Sequence, residues 1–300
     1  MNVEAALGSN GHKNRNRNMT TQPHAVALIT GAGSGIGRAL TLLLAKRGVT
    51  IVASDRDFSR AEETRHLAEG AKGTVECEEL DVSDATAVDN MVRTAYERHG
   101  RIDYLFNNAG IAVAGEVQNV SLEDWNAVLD VNLHGVVHGV VAAYGIMVEQ
   151  GFGHIVNTAS IEGLAPFPGT VSYVASKHAV VGLSTALRAE GADLGVRVSA
   201  VCPGLILTRI FKDTKYVGLE RDEVLEAIPE WMSVDPDECA KRIMRGVDRN
   251  RAIIPITGFA WILWILMRIS PNLVLGMMQR NLRRGRAQDR ARKANEELPS

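Results

Sequence analysis

The sequence predicts an α/β fold: a single doubly wound parallel sheet of about seven strands with helices on both faces. Short runs rich in β-branched residues alternate regularly with helical patterns from about residue 24 to 257. This alternation indicates parallel strands joined by right-handed crossovers. The runs are nearly all apolar, as strands covered on both faces must be. No linker or change in composition divides the region, so we expect one domain over residues 24–258.

The elements follow one another in a regular order. Each expected strand is a short apolar run, and each expected helix carries apolar residues at a period of about 3.6. We expect strands at residues 25–30, 50–55, 74–82, 102–110, 153–160, 196–204 and 251–258. We expect helices at residues 36–48, 59–70, 85–100, 121–150 and 173–193. Gly48 ends the first helical pattern, since glycine commonly terminates helices.

The composition is that of an ordinary globular protein, with 46% hydrophobic and 23% charged residues. The net charge of −2 argues against a dedicated nucleic-acid-binding protein, which is normally basic. Cys77, Cys202 and Cys239 show neither CxxC nor metal-ligand spacing, so we expect reduced thiols. Residues 1–23 are polar, lack the apolar segment of a signal peptide and are expected to be disordered. Met19 is an alternative natural start, and a cytoplasmic location is expected.

A glycine-rich loop joins the first strand to the first helix. The segment TGAGSGIG covers residues 30–37. A glycine at its start permits a tight turn, and later glycines let the backbone approach a pyrophosphate. The helix that follows presents free N–H groups and a partial positive charge to phosphate. The loop therefore predicts a dinucleotide site whose candidate contacts are Gly31, Ser34, Gly35, Ile36 and Gly37.

The second strand ends in a residue that bears on the choice of dinucleotide. A carboxylate at Asp55 would accept hydrogen bonds from the adenine ribose and repel a 2′-phosphate, which favours NAD(H). Arg56 follows directly and would pair with that phosphate, which leaves NADP(H) open. Asp81 and Val82 end the third strand and are candidates for contact with the adenine edge. The alternative for Asp81 is an N-cap of the next helix.

Six segments occur in the order and spacing of a known family. They are TGAGSGIG (30–37), NNAG (107–110), VNLHG (131–135), IVNTAS (155–160), YVASK (173–177) and CPGLILT (202–208). Together they resemble the standard core type of the short-chain dehydrogenase/reductase family, over residues 25–210. The resemblance implies a Rossmann-like sheet, a nicotinamide cofactor and a homodimer or homotetramer paired through the long helices at 121–150 and 173–193.

The resemblance also assigns roles to individual residues. Tyr173 resembles the catalytic tyrosine that gives a proton to a carbonyl oxygen or takes it from an alcohol, and Lys177 resembles its partner. Ser160, 13 residues before Tyr173, resembles the serine that holds the substrate oxygen, and Asn132 the asparagine that supports a proton-relay water. Further cofactor contacts are expected at Asn108, Ala109, Gly110, Tyr173, Lys177, Pro203, Gly204, Ile206 and Thr208.

Physical chemistry agrees with the role of this pair. Tyr173 and Lys177 lie four residues apart, so a helix places them on one face, although such a pair taken alone is more often a solvated surface feature. A free phenol has a pKa of about 10 and is protonated near neutral pH. A neighbouring ammonium would stabilise the phenolate, and we expect it to lower the pKa of Tyr173.

Two other polar features have weaker interpretations. His134 and His138 lie four residues apart on one expected helix, but no glutamate or cysteine joins them, so we expect no metal site. Glu162 follows Ser160 by two residues. A charge at the rim of the pocket is the interpretation favoured over contact with a polar group of the substrate.

The expected substrate is small and hydrophobic. In the family, the loops after strands four, five and six select the substrate, and here they offer Ile111, Ala112, Val113, Leu164, Phe167, Leu205, Ile210 and Phe211. We expect an NAD(P)-dependent oxidoreductase that interconverts a secondary alcohol and a ketone of sterol, retinoid, terpenoid or fatty-chain type. Residues 209–236, with Trp231, are expected to form a mobile lid. A β-ketoacyl reductase and a non-catalytic cofactor-binding protein are the alternatives.

Residues 259–300 continue beyond the resemblance as apolar helices and a basic tail. The apolar run 259–267 is shorter than the ~20 residues that span a bilayer, and Pro271 separates it from a second helix. Six arginines and Lys293 follow within residues 280–293. Residues 259–293 therefore fit peripheral contact with an anionic membrane. Packing on the body, over the pocket or between subunits is the alternative.

Overall fold

The structure is a computed structural model that describes residues 24–206, 208–226 and 233–296. The expected disorder of residues 1–23, the alternative start at Met19 and the lid residue Trp231 lie outside the described residues.

Seven strands form one parallel sheet, which confirms the predicted fold class. The described residues contain nine strands in all, which are β1 Val26–Thr30, β2 Thr50–Asp55, β3 Val75–Glu79, β4 Tyr104–Asn107, β5 Val113–Ala114, β6 Gly153–Thr158, β7 Val196–Cys202, β8 Lys215–Tyr216 and β9 Ile253–Pro255. The main sheet has the order β3-β2-β1-β4-β6-β7-β9, and the short strands β5 and β8 pair separately. From β1 the strand order runs outward in both directions, to β2 and β3 on one side and to β4, β6, β7 and β9 on the other. A Rossmann-like sheet has this order.

Helices cover both faces of this sheet. They are α1 Gly35–Lys46, α2 Phe58–Leu67, α3 Ala85–His99, α4 Leu122–Leu129, α5 Gly135–Gln150, α6 Val171–Glu190, α7 Ile210–Asp213, α8 Arg221–Glu226, α9 Pro236–Asp248, α10 Gly258–Ile269 and α11 Pro271–Glu296. A five-residue π-helical segment, Asp130–His134, joins α4 to α5. The expected helix over 121–150 is therefore one stretch with an inserted widening, and such widenings are frequent at functional sites.

Local hydrogen bonds explain why two of the expected strands end early. The third strand stops at Glu79 rather than residue 82, because Asp81 accepts hydrogen bonds from Ser83 and turns the chain. The last strand stops at Pro255, since Thr257 caps α10 by accepting from the backbone N–H of Ala260. Side chains that bond to nearby backbone groups compete with the sheet in this way.

The sheet separates two apolar cores. On one face, Leu44 of α1 and Ile243 of α9 pack against strand residues such as Ile29. On the other, Met147 of α5 packs with strand residues such as Leu28. Neighbouring residues of β1 thus belong to opposite cores, as the alternation of side chains along a strand requires. A third, smaller core lies beneath α10 and α11 and includes Ile161, Ala165, Ala260, Leu263 and Val274.

Buried polar groups inside the sheet are paired with one another. The Asn107 amide donates to the Asn157 side chain at 2.8 Å, and the Asn157 amide donates to the Ser184 hydroxyl at 3.0 Å. This chain of bonds ties β4 and β6 to α6. A Cβ on Gly139 would lie 2.2 Å from Oδ1 of Asn107, so α5 packs closely over the same strand.

One helical stretch among the described residues, Leu122–Gln150, is long and apolar enough to cross a membrane by length and composition. It is the α4 to α5 stretch, and its buried residues pack on the sheet. Core helices of globular proteins meet the same criterion, so this finding carries no further weight.

The start of β1 depends on one buried carboxylate. Asp103 has no exposed surface and accepts from the backbone N–H of Val26 at 2.8 Å, while Arg101 donates to both of its oxygens. We expect Asp103→Ala to lower the free energy of unfolding in urea by about 3 kcal/mol, because a buried donor and cation lose their acceptor. Asp89→Ala removes an exposed pair with Arg93 and should cost below about 1 kcal/mol. Equal losses in the two variants would contradict this account.

Candidate active site

The glycine loop forms a tight turn at the carboxyl end of β1. Gly31 and Gly35 have φ of +65° and +52°, which side chains rarely adopt. A Cβ on Gly37 would lie 2.1 Å from the carbonyl oxygen of Gly31. The Ser34 side chain makes no capping hydrogen bond to the described start of α1. The first-turn N–H groups of α1 are therefore suited to bind a phosphate. The loop residues predicted from sequence, Ile36 included, lie together at this turn.

Two neighbouring segments hold this loop in place. The Thr30 hydroxyl accepts from the backbone N–H groups of Asn108 and Ala109 at 3.0 and 3.1 Å. The Asn108 amide in turn donates to the carbonyl oxygens of Thr30 and Gly31 at 3.0 and 3.3 Å. Asn108 and Ala109 therefore brace the loop, and Thr30 is a supporting residue that motif reading alone did not single out.

Asp55 lies against the same loop. Its carboxylate accepts from the backbone N–H of Gly33 at 2.9 Å and from that of Asp57 at 3.0 Å. Arg56 points outward and is exposed. A second arginine, Arg38, donates to the Gly33 carbonyl at 2.5 Å and forms an ion pair with Glu63 at 2.7 Å. Sequence reasoning missed Arg38, whose pairing with the next helix becomes visible only in the fold.

The third strand's end differs in part from expectation. Asp81 is not the N-cap of α3, because Asp84 accepts from the N–H groups at the start of that helix. Hydrogen bonds from Ser83 hold the pKa of Asp81 below its ordinary value. Asp81 is exposed and Val82 is buried, with the Val82 carbonyl 2.9 Å from Nδ1 of His138. Both residues lie at the carboxyl edge of the sheet, beside β2.

The Tyr173–Lys177 pair lies in the first two turns of α6, which begins at Val171. Nζ of Lys177 is 5.4 Å from the centre of the Tyr173 ring and donates to the carbonyl oxygen of Thr158 at 2.9 Å. Lys177 is 2% exposed, whereas Tyr173 is half-buried. The surface-pair interpretation is therefore wrong, since a solvated lysine would not be enclosed in this way.

Asn132 sits inside the π-helical segment and is fully buried. Its side chain accepts from the backbone N–H of Ile111 and donates to the Ile111 carbonyl, both at 2.9 Å. A Cβ on Gly110 would lie 3.2 Å from Oδ1 of Asn132 and 3.5 Å from Nζ of Lys177. The absence of a side chain at Gly110 thus leaves space between these two polar groups.

Ser160 and Glu162 lie near Tyr173 on the turn after β6. Ser160 follows β6 and accepts from the N–H of Glu162 at 3.1 Å, which starts a single 3₁₀ turn over Ile161–Gly163. The nearby Ser160 side chain acts to lower the pKa of Tyr173. Glu162 is partly buried and accepts from the Thr170 hydroxyl at 2.5 Å. This contact ties Glu162 to the residue before α6, and its interpretation as a charge at the rim of the pocket stays a prediction.

Burial dominates the ionisation of this cluster. Desolvation raises the pKa of Tyr173 well above its usual range, and the nearby Glu162 raises it further. The expected lowering of this pKa by Lys177 is therefore wrong for the protein alone. Desolvation also lowers the pKa of Lys177 to about 8 and raises that of Glu162 to about 7. The phenol thus holds its proton at neutral pH.

The segment after β7 packs against the glycine loop. A Cβ on Gly35 would lie 2.9 Å from Cβ of Thr208, and a Cβ on Gly204 would lie 2.5 Å from the Thr257 hydroxyl. The Pro203 carbonyl accepts from the N–H of Ile161 at 2.7 Å. Ile206 is buried in the α1 and α9 core, so its side chain supports the loop from below. All four expected positions lie near the loop or beside Ser160.

The two histidines on this stretch serve separate contacts. Nδ1 of His134 is 2.9 Å from Oδ1 of Asp130, and His138 meets the Val82 carbonyl instead. Among the described residues, no group of three or more metal-ligating side chains comes together.

Comparison with known proteins identifies the family to which this arrangement belongs. The pattern of the short chain dehydrogenase family matches residues 25–216. The chain is 38% identical to the 3-oxoacyl-[acyl-carrier-protein] reductase FabG of Thermotoga maritima, over 73% of this chain and 88% of that protein. It is 35% identical to the putative oxidoreductase SadH of Mycobacterium tuberculosis, over 81% and 90%. It also matches the probable oxidoreductase EphD of that organism at 36% identity, over 43% of EphD.

Solved structures agree with these relatives. A short-chain dehydrogenase/reductase from Burkholderia phymatum in complex with NAD superposes with a TM-score of 0.76, at 30% identity over 84% of this chain and 96% of that one. Levodione reductase superposes with a TM-score of 0.70, at 30% identity over 79% and 98%. With the glycine loop, the sheet order and the Ser160, Tyr173 and Lys177 cluster, these matches show that the chain belongs to the short-chain dehydrogenase/reductase family of oxidoreductases.

Proposed function

We propose that this protein is an NAD(H)-dependent oxidoreductase that interconverts a hydrophobic secondary alcohol and its ketone, with Tyr173 as the acid and base. The observation that carries the proposal is the buried Lys177 ammonium, 5.4 Å from the centre of the Tyr173 ring, with Ser160 close to the same tyrosine. When bound, the nicotinamide cofactor supplies or accepts the hydride.

The side chains of the cluster transfer the proton and stabilise the charge that develops. The Tyr173 phenol, protonated at neutral pH, donates to the carbonyl oxygen of a ketone or receives the alcohol proton in reverse. The Ser160 hydroxyl donates a hydrogen bond to the same oxygen as negative charge develops. Lys177 stabilises the phenolate left behind, and the space beside Gly110 gives it a path to Asn132 for a relayed proton.

The preference for NAD(H) rests on Asp55. Its carboxylate lies against the Gly33 backbone, where a 2′-phosphate would meet a like charge. Arg38 is engaged by Glu63 and by the loop carbonyl, and is not poised to neutralise such a phosphate. The Burkholderia phymatum structure holds NAD, and a Brucella melitensis 3-ketoacyl reductase of 28% identity holds NADH, which supports the same choice.

The substrate class follows from the apolar residues around the cluster. Val113 of β5 and Leu164, four residues after Ser160, are buried, and Ala165 and Phe167 pack beneath α10. A sterol, retinoid, terpenoid or fatty-chain alcohol fits such surroundings. A β-ketoacyl thioester is the second candidate, because the Thermotoga maritima relative is named for that reduction. Turnover of both classes, followed by nicotinamide absorbance, distinguishes them.

We further propose a cytoplasmic homodimer or homotetramer. Leu122 of α4 and Val141 of α5 are 75% and 74% exposed on the stretch that the family resemblance implicates in pairing. Two exposed apolar residues on a long helix pair support such an interface.

Removal of the Tyr173 hydroxyl tests the reaction. We expect Tyr173→Phe to lower kcat by about a thousandfold with cofactor binding retained, because proton transfer loses its donor. Tyr144→Phe is the matched control, since its hydroxyl has no hydrogen-bond partner among the described residues. Near wild-type turnover by Tyr173→Phe would refute the mechanism.

Replacement of Asp55 tests the cofactor. We expect Asp55→Ser to reduce the ratio of kcat/KM for NAD⁺ over NADP⁺ by about tenfold or more, since repulsion of the 2′-phosphate is lost. Asp57→Ser, on the same turn, should leave the ratio unchanged. An unchanged ratio in Asp55→Ser would contradict the role of its carboxylate.

The raised pKa of Glu162 predicts a pH-dependent stability. Its folded value of about 7 exceeds its ordinary value of 4.5, so the cost of ionising this buried carboxyl is absent below pH 4.5 and complete above pH 7. Glu162→Gln cannot ionise, and its stability relative to wild type should rise by about 2 kcal/mol between about pH 5 and pH 8. Glu149→Gln, at an exposed position of α5, should show no such rise in urea titrations. A flat difference for Glu162→Gln would contradict the burial argument.

A further inference from the structure

Exposed apolar side chains concentrate on the pair of helices α10 and α11. Among the residues that the structure describes, sixteen large hydrophobic side chains are exposed, and eight of them lie between Phe259 and Met277. They are Phe259, Trp261, Ile262, Ile265, Ile269, Leu273, Leu275 and Met277. Single exposed apolar residues are ordinary on protein surfaces, but a cluster on one element marks a contact surface.

α10 is apolar on both of its faces. Ala260 and Leu263 are buried, and they pack with Ile161 and Ala165 of the segment that follows Ser160. The opposite face carries Phe259, Ile262 and Ile269, at spacings of one and two helical turns. A helix that is hydrophobic all round is normally enclosed on every side, so this outer face lacks a covering within the described chain.

α11 carries an exposed stripe that changes from apolar to basic along the helix. Leu273, Met277, Arg280 and Arg284 follow at intervals of four, three and four residues, which places them along one stripe. The inner stripe holds the buried Val274 and the partly buried Met278. One helix thus presents two apolar turns and then two basic turns to the same side.

The charge of this segment selects the kind of partner. Between residues 258 and 287 the chain contains five arginines and no aspartate or glutamate. Arg268 lies over the Trp264 ring at 5.1 Å, and that ring meets Trp261 edge to face at 5.6 Å. Tryptophan and arginine beside an apolar face are typical of segments at a membrane–water interface. A second copy of this surface would bring arginines without carboxylates to pair with them.

We propose that the outer face of α10 and the first half of α11 dock onto an anionic lipid bilayer, with the apolar turns in the acyl region and Arg280, Arg283 and Arg284 at the headgroups. α10 has 12 residues and a length of about 18 Å, too short to cross a hydrocarbon core of about 30 Å. The helices therefore lie in the interface. Because the inner face of α10 packs on the segment after Ser160, docking brings the substrate side of the protein to the membrane.

Co-flotation of the purified full chain with vesicles tests this surface without any substrate. We expect binding to phosphatidylcholine vesicles that contain phosphatidylglycerol, weaker binding to phosphatidylcholine alone, and a blue shift of tryptophan fluorescence on binding. The variant Phe259→Ser, Ile262→Ser, Ile269→Ser should lose binding to both. Leu67→Ser is the matched control, since Leu67 and Ile262 are 57% and 59% exposed.

A second variant separates charge from apolar contact. We expect the triple change Arg280→Gln, Arg283→Gln, Arg284→Gln to weaken partitioning onto the anionic vesicles by about a hundredfold and to leave the weaker binding to phosphatidylcholine little changed. Absence of wild-type binding to anionic vesicles would overturn the proposal. Equal loss in Leu67→Ser would also overturn it, as would dissociation of a solution oligomer by the apolar variant with vesicle binding intact.

Discussion

The buried ammonium of Lys177 is the constraint on which the site depends. It is buried beside β6 and donates a hydrogen bond to the Thr158 carbonyl. A cation in such surroundings is costly unless nearby groups solvate it. Gly110 leaves room beside this ammonium and Asn132, and the Tyr173 ring lies 5.4 Å away. Enclosure also lowers its pKa to about 8, close to the range in which enzymes work.

Three neighbouring segments pack around this lysine. The π-helical segment turns Asn132 inward, and the resulting bonds to Ile111 hold the loop after β4 beside the lysine. Gly163 packs so closely on α6 that a Cβ would lie 2.6 Å from the Lys177 carbonyl. The short turn with Ser160 and Glu162 therefore packs directly against the helix that carries Tyr173. The proposed catalytic groups Asn132, Ser160 and Tyr173 come from three segments that lie beside the carboxyl edge of the same sheet.

The C-terminal helices extend this organisation outward. Their inner face forms a small core with Ile161 and Ala165, so the segment beside Ser160 is packed between α6 and α10. Arg286 of α11 also pairs with Glu116, in the loop after β5, and this contact holds the pKa of Glu116 at about 2. The helices thus form part of the wall on the substrate side. Their outer face remains free for the lipid contact proposed above.

The sequence by itself determined the order of strands and helices, the glycine loop, and the alignment of Tyr173 with Lys177, because these follow from local periodicity, glycine placement and spacing along one helix. Tertiary structure alone decided the rest. Burial of Lys177, the pairing of Glu162 with Thr170 and the raised pKa of Tyr173 arise from desolvation by distant segments. The same holds for α10, whose sequence is apolar on every side up to Arg268 and does not say which face packs inward. Only its contact with Ile161 makes Ala260 the inner side and Ile262 the outer.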